Sequence, residues 1–154
     1  MTKTWDPSQA EAIVRAHAKL EGPLLPILHA LSAEYGCIPE AATPLIAEAL
    51  NLSRAEVHGV ISFYHDFRRE PAGRIVVRLC RAEACQAMGG RELGEIVLRH
   101  FKLGWGDTNG DRSVTIEPVY CLGLCAAAPA ALVNGAPSAR VEPARLIADI
   151  EAMR

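Results

Sequence analysis

The first 67 residues space their apolar side chains as amphipathic helices do. Leu, Ile and Val recur at helical intervals, and capping residues stand where each pattern begins. The predicted helices run from a cap at Asp6 to about Leu20, from near Pro23 to Gly36, from Thr43 through Leu50, and from a capping box at Ser53 and Glu56. Four short amphipathic helices joined by short connections favour a small helical bundle.

The pattern changes after the charged segment 65–74, which contains Pro71 and Gly73 and is predicted to be a linker. Beyond it, short β-branched runs surround one helical stretch, and Asn134-Gly135 indicates a hairpin. The predicted elements are a strand at 75–79, a helix at 89–103, strands at 114–119, 130–133 and 139–141, and a final helix from Pro143. We therefore predict an α+β protein with two domains, a small N-terminal helical bundle at 1–70 and an α/β domain at 71–154.

Composition and charge exclude several classes of function. The chain has 154 residues, half of them apolar, and a formal net charge of −2. It can therefore bury a core, and it lacks the basic face expected of a nucleic-acid-binding protein. The N-terminus has no signal-peptide pattern, and no apolar run approaches the roughly 20 residues that span a bilayer. We expect a cytoplasmic protein that does not insert into a membrane and whose thiols stay reduced.

Four of the five cysteines form two closely spaced pairs, Cys80-x4-Cys85 and Cys121-x3-Cys125. Each pair follows a predicted strand, and if those strands are parallel both loops leave the same edge of the sheet. Thiolates are soft ligands that favour iron–sulfur clusters, zinc or Cu(I). We therefore expect the four sulfurs to converge on one metal centre.

Spacing alone leaves three interpretations open, of which we favour a 2Fe-2S cluster. Such a cluster accepts two thiolates per iron from two separate loops. Structural zinc sites use C-x2–4-C pairs, and both spacings fall within that range. The third interpretation is that the thiols bind no metal. A thioredoxin-type dithiol enzyme is disfavoured because the chain has no C-x-x-C motif.

The residues around the cysteines suit an anionic cluster. The segment Cys85 to Gly90 leads into a predicted helix, whose first N–H groups favour negative charge. Gly89-Gly90 and Gly123 leave room for backbone to approach a sulfide. We expect Arg78 and Arg81 to be solvated, although either could offset the charge of a cluster.

Together with their neighbours, these residues resemble the thioredoxin-like 2Fe-2S ferredoxin family. The motifs that carry the resemblance are Cys80-Arg-Ala-Glu-Ala-Cys85-Gln, Pro118-Val-Tyr-Cys121-Leu-Gly-Leu-Cys125, Ala128-Pro129 and Asn134-Gly135. In the helical half, the segments similar to the 24 kDa subunit of NADH:quinone oxidoreductase are Leu24-Leu25-Pro26-Ile27-Leu28, Glu34-Tyr35-Gly36, Ile38-Pro39 and Val60-Ile61-Ser62-Phe63-Tyr64. The cysteine motifs look closest to the gamma subunit of cytosolic NAD-dependent formate dehydrogenase, and the corresponding subunit of NAD-reducing hydrogenase is also similar.

The resemblance implies a role beside a flavin. Cys80, Cys85, Cys121 and Cys125 would hold one 2Fe-2S cluster in a thioredoxin-like α/β domain that follows the helical bundle. Family members dock on a larger subunit that carries FMN and the NAD site, and the formate enzyme adds a larger iron–sulfur subunit with molybdenum. We therefore expect an electron-transfer subunit without catalytic residues of its own, and a chain that does not itself bind FMN or NAD.

Two alternatives to the formate enzyme remain at this point. The first is the equivalent subunit of NADH:quinone oxidoreductase or of NAD-reducing hydrogenase. The second belongs to another class and is a zinc-stabilised interaction module with no redox role.

Cys37 departs from the family pattern, which usually has another residue at this position. Because a cysteine outside a reactive site is among the most buried residue types, we interpret Cys37 as a buried apolar thiol. The aromatic segment 62–67 is open to two interpretations, a contact with a partner subunit or a part of the core.

Overall fold

The computed structural model describes residues 3–154, and the chain divides into two compact units between Pro71 and Ala72. Helices form the first unit within its described residues 3–71, and a mixed sheet with helices forms the second. The predicted α+β class is therefore confirmed. Within residues 3–154, no helix combines the length and the apolar character needed to cross a membrane.

The described part of the first unit contains four helices. They are α1 (Pro7–His17), α2 (Leu24–Tyr35), α3 (Ala42–Leu50) and α4 (Arg54–Phe63). Asp6 accepts hydrogen bonds from the backbone N–H groups of Ser8 and Gln9, so α1 begins where it was predicted. It ends at His17, earlier than the predicted Leu20. Gly36, with φ 74°, ends α2 in the left-handed conformation that glycine adopts without strain.

The predicted capping box at the start of α4 is present. Ser53 Oγ accepts from the Glu56 N–H at 3.2 Å, and the Glu56 carboxylate accepts from the Ser53 N–H at 2.8 Å. The helices pack their apolar faces together. The largest fully buried side chains of this core are Ile27, Leu28, Leu31, Ile38, Ile46 and Ile61. Phe67, in the predicted linker, also joins this core.

The second unit is a four-stranded sheet with helices. Its elements are β1 (Ile75–Cys80), α5 (Glu83–Ala87), α6 (Gly90–Phe101), β2 (Val114–Val119), a 3-10 turn (Cys125–Ala127), β3 (Ala131–Val133), β4 (Ala136–Ser138) and α7 (Pro143–Met153). The strand order is β2-β1-β3-β4. β1 and β2 are parallel, while β3 runs antiparallel to both β1 and β4.

The core of this unit forms from side chains that alternate along β1 and β2. Ile75, Val77 and Leu79 are buried, as are Val114 and Ile116 opposite them. The buried helical side chains that complete this core are Leu93, Val97, Leu146 and Ile150. Burial of these residues fixes the register of the two parallel strands, and the register in turn fixes where the strands end.

Two sequence predictions need correction here. The last strand lies at Ala136–Ser138 and not at 139–141, because Asn134 (φ 48°) and Gly135 (φ 82°) form a two-residue turn and the chain pairs again at once. The helix α5 was missed, since five residues are too few to show a helical period.

Candidate metal centre

The two cysteine loops leave the same edge of the sheet. β1 and β2 are parallel, and Cys80 at the end of β1 lies opposite Val119 at the end of β2. The backbone here is held from both sides: the Cys80 N–H donates to the Ala130 carbonyl at 3.0 Å, and the Arg81 N–H donates to the Val119 carbonyl at 2.8 Å. The prediction that the two cysteine loops meet required these strands to be parallel, and they are.

The two members of each cysteine pair share a similar environment, but the pairs differ from one another. Cys80 ends β1 and Cys85 lies within α5, and these two residues are only 4% and 2% exposed. Cys121 and Cys125 are exposed, and Cys125 begins the 3-10 turn. Cys121 has φ 78°, a conformation that is uncommon for a residue with a side chain.

The sulfurs stand as two hydrogen-bonded pairs that also interact with each other. The Cys121 and Cys125 sulfurs share a hydrogen bond at 3.7 Å, and Cys85 forms one with Cys80. The Cys80 sulfur is close enough to Cys125 to act on it electrostatically. The fold therefore brings together the four cysteines that were predicted to converge.

Several backbone N–H groups donate hydrogen bonds to the Cys80 sulfur. Burial by itself would raise the pKa of this thiol, but the backbone N–H groups of Ala82, Cys121 and Leu122 and the Cys85 side chain hydrogen-bond the sulfur. The pKa of Cys80 therefore falls below its ordinary value. Two of these donors belong to the other cysteine loop, so one loop stabilises a thiolate on the other.

The pKa values of Cys85 and Cys125 shift in the opposite direction, upward. Burial raises the pKa of Cys85, and its hydrogen bond to Cys80 raises it further, against a lowering contribution from the Ala130 N–H. The hydrogen bond to Cys121 raises the pKa of Cys125. Because neighbouring thiols cannot all ionise at low cost, a set of four such sulfurs favours a cation that neutralises them.

The chemistry of the donor set fits a 2Fe-2S cluster. Within residues 3–154, no group of three or more His, Cys, Asp or Glu side chains is arranged to hold a metal ion. A binuclear cluster has a different requirement, because each iron takes two thiolates and the sulfurs need not surround one point. Two thiol pairs from two loops, with N–H groups directed at sulfur, meet that requirement.

Apolar side chains surround the buried cysteine pair at this edge of the sheet. Cys80 and Cys85 cluster with the buried residues Ala128 and Ala130, and the half-buried residues packed against them are Ala82, Val119, Leu122 and Leu124. Such a shell keeps water partly away from a cluster, which is one of the factors that set its reduction potential.

The neighbouring residues follow the expectations only in part. Arg78, expected to be solvated, donates from Nε to Glu117 Oε2 at 3.1 Å. Arg81 is exposed, as expected, and its guanidinium lies over the Trp105 ring, 4.9 Å from its centroid. Gly90 is buried against the Cys85 carbonyl, whereas Gly89 and Gly123 border open space. Cys37 is buried, as interpreted from the sequence.

No sequence pattern indicated the N–H donors to sulfur. Ala82, Leu122 and Ala130 have plain apolar side chains, and their role here belongs to the backbone. Only the folded arrangement of the two loops reveals which amides face Cys80 and Cys85. The Trp105 contact was also missed, because Trp105 is distant from Arg81 in the sequence.

The chain is similar in sequence to subunits of several nicotinamide-linked oxidoreductases. The E subunit of NADH-quinone oxidoreductase from Pseudomonas aeruginosa is 37% identical over 110 residues, which cover 70% of this chain and 65% of that relative. The E subunit from Mycobacterium tuberculosis is 33% identical over 125 residues, covering 81% of this chain and 50% of the relative. The HndA subunit of the NADP-reducing hydrogenase from Solidesulfovibrio fructosivorans is 29% identical over 126 residues, which cover 82% of this chain and 74% of that relative. The chain thus matches only about half the length of the mycobacterial relatives.

Solved structures and a family model extend the comparison to nearly the whole chain. The air-oxidised NAD+-reducing [NiFe]-hydrogenase matches with a TM-score of 0.62 and 25% identity, covering 96% of this chain and 23% of the hydrogenase chain. The model of the thioredoxin-like [2Fe-2S] ferredoxin family matches residues 10–154. The chain therefore belongs to the thioredoxin-like [2Fe-2S] ferredoxin family.

Proposed function

We propose that Cys80, Cys85, Cys121 and Cys125 bind one 2Fe-2S cluster and that the chain is a one-electron carrier subunit of an NAD-linked oxidoreductase complex. The observation that supports this most is the convergence of two thiol pairs at one edge of the sheet, with backbone N–H groups directed at the Cys80 sulfur. Family membership supports the choice of cluster.

The residues of the site have separable tasks. When bound, the cluster supplies one-electron redox chemistry, which hydride carriers such as NAD do not. The buried pair, Cys80 and Cys85, would hold its inner side, and the exposed pair, Cys121 and Cys125, would hold the side that faces the surface. No acid, base or nucleophile is assigned, because the chain positions and tunes the cofactor.

We further propose that the complex is a cytosolic NAD-dependent formate dehydrogenase. The support is the resemblance of the segments 80–86 and 118–125 to its gamma subunit. In such a complex FMN and NAD lie on one partner subunit, and a larger iron–sulfur subunit carries molybdenum. The names of the relatives favour the alternative, which is the equivalent subunit of an NADH-quinone oxidoreductase or of a nicotinamide-reducing hydrogenase.

The helical unit offers a surface suited to a partner subunit. Phe63 is 73% exposed, and Tyr64 packs edge-on against it, with ring centroids 5.1 Å apart. Exposed aromatic side chains of this kind are enriched at protein interfaces. We also propose that the two units correspond to domains at 1–70 and 71–154.

The cluster is tested by EPR on the anaerobically purified chain, as isolated and after dithionite, with iron, sulfide and zinc assayed on the same sample. A rhombic S = 1/2 signal on reduction, with equal amounts of iron and sulfide, is the expected result. A silent spectrum with stoichiometric zinc would replace the electron carrier with a zinc-stabilised interaction module.

The complex is tested by affinity purification through a tag on this chain from its native cells. We expect the purified complex to reduce NAD+ with formate and to contain molybdenum and FMN. Reduction with hydrogen but not formate, or oxidation of NADH by quinone, would contradict the formate assignment and leave the cluster proposal intact.

A further inference from the structure

Gly90, the first residue of α6, lies against the backbone of the first cysteine loop. A Cβ atom at this position would be 2.6 Å from the Cys85 carbonyl oxygen, 2.9 Å from the Cys85 carbonyl carbon and 3.4 Å from the Cys80 carbonyl oxygen. Carbon atoms do not approach backbone this closely without displacing it. Any residue other than glycine would therefore push α6 and the loop apart.

Hydrogen bonds restrict how far the loop can yield. The Cys85 carbonyl accepts from the Met88 N–H at 3.2 Å, and the Cys80 N–H donates to Ala130 at 3.0 Å. On the other side, the Gly89 carbonyl accepts from the Leu93 N–H at 3.0 Å, which ties down the start of α6. A methyl group at Gly90 would have to break or stretch contacts on one of these sides.

The neighbouring glycine has a different role. Gly89 has φ 85°, and nothing lies within 4 Å of the place where its Cβ would be. Gly89 is needed for the conformation of the turn, whereas Gly90 is needed for the close approach of α6 to the loop.

We infer that Gly90 is a positioning residue, which sets the place of Cys85 relative to Cys80 and so keeps the buried thiol pair ready for the cluster. This inference rests on the proposed function, because it concerns residues assigned as ligands. Helix propensity alone would make Gly90→Ala neutral or stabilising, so a loss would come from the contact.

The chain offers a matched control at the opposite end of the sheet. A Cβ at Gly73 would be 2.8 Å from the Val114 nitrogen, next to the start of β2. Gly73→Ala therefore introduces a similar backbone clash in the same unit but away from the cysteines. Both variants are compared with the wild type by iron and sulfide content, by the EPR g-values, by visible circular dichroism and by thermal melting.

We expect Gly90→Ala to bind less than half the iron of the wild type, or to bind it with shifted g-values, while Gly73→Ala keeps the wild-type spectrum even if it melts earlier. A second measurement uses the iron-free chain and maps alkylation of each cysteine by mass spectrometry. Cys85 should react about tenfold faster in Gly90→Ala than in the wild type, because local opening exposes it.

The remaining outcomes overturn the inference. Unchanged iron content, spectrum and alkylation in Gly90→Ala would overturn the inference about Gly90 and leave the proposed cluster intact. Equal cluster loss in both variants would also overturn it, since any backbone clash would then have the same effect. If Gly90→Ala is unfolded, the comparison is repeated at low temperature with trimethylamine N-oxide. Failure to fold there, while Gly73→Ala folds, would make Gly90 a general folding residue.

A wild-type chain without iron and sulfide would instead contradict the proposed function. The alkylation comparison then decides the inference alone, because it needs no cluster.

Discussion

The two ends of the parallel strands β1 and β2 are surrounded by different kinds of side chain. At the end where the strands begin, polar side chains hydrogen-bond one another: Asp111 accepts from the Ser113 N–H and hydroxyl, and Arg154 donates to both Ser113 and Asp111. At the end where the strands finish, Cys80 and Cys85 lie among apolar side chains, Cys121 and Cys125 are exposed, and the thiols hydrogen-bond mainly one another and backbone N–H groups. One end of the sheet is therefore complete with protein atoms alone, and we expect the other end to be completed by a cofactor.

Substitution of a proposed ligand should produce the largest difference between the two ends. We expect Cys80→Ser and Cys121→Ser each to lose nearly all of the cluster, measured as iron content and as the EPR signal. In the iron-free chain, Cys80→Ser should cost about 1–2 kcal/mol of unfolding free energy because the site is buried, and exposed Cys121→Ser less than about 0.5 kcal/mol. The control is Ser113→Ala at the polar end, which should destabilise the chain by about 1–3 kcal/mol and keep the cluster. Wild-type iron content in Cys121→Ser would refute the ligand assignment.

Removal of iron with a chelator should loosen only the cysteine end. In hydrogen exchange, amides of residues 121–125 should exchange at least about tenfold faster, which corresponds to about 1.4 kcal/mol of local opening. The Val114 N–H, which donates to Asn109 Oδ1 at 2.8 Å, should keep its protection. Equal acceleration at both ends would show that the sheet responds to the metal as a whole.

Charge beside the first cysteine loop should tune the cluster modestly. Arg81 follows Cys80 and rests on Trp105, while the segment 119–126 around the second pair carries no charged residue. Loss of a nearby cation disfavours the more negative reduced state, so Arg81→Gln should lower the midpoint potential by roughly 20–60 mV. The measurement is an EPR-monitored redox titration, with Arg145→Gln as the charge-matched control. An unchanged potential in Arg81→Gln would indicate that solvent screens the guanidinium.

Acid should weaken the polar end through Asp111. Hydrogen bonds from Ser113 and Arg154 lower the pKa of Asp111 to about 2. Its stabilising contribution is therefore full above the unfolded-state pKa of about 3.9 and is lost as the pH falls through about 2. In the iron-free chain, the melting temperature of the wild type should exceed that of Asp111→Asn at neutral pH, and the gap should close between about pH 4 and pH 2. If the difference in melting temperature did not depend on pH, the destabilisation in Asp111→Asn would come from the shape of the side chain and not from its charge.

The smallest effect is expected at Cys37. This thiol is buried in the helical unit and belongs to neither end of the sheet. Cys37→Ser should leave the iron content and the EPR spectrum as in the wild type, although burial of a hydroxyl can lower the melting temperature. Loss of the cluster in this variant would show that the ligand set is incomplete.

Much of this architecture could be predicted from local patterns. The boundaries Val114–Val119 and the cap at Ser53 follow from side chains that act within a few residues of themselves. The convergence of the cysteines also followed, once the strands were taken as parallel, because parallel strands end at one edge.

What could not be predicted depends on contacts between distant segments. The close approach of Gly90, the first residue of α6, to the Cys85 carbonyl was not predicted. Arg81 is exposed, as expected, but its contact with the Trp105 ring was not predicted, and the amides that hydrogen-bond Cys80 come from both loops. The position of β4 was missed for a local reason, since a turn of only two residues places the return strand directly after Gly135.

The strand β4 has a consequence for how readily the chain associates with other copies of itself. It forms one edge of the sheet, is three residues long and exposed, and contains Pro137, which has no N–H to offer. An edge this short and interrupted is a poor template for strand addition by a second chain. The chain is thereby protected against aggregation along this edge of its sheet.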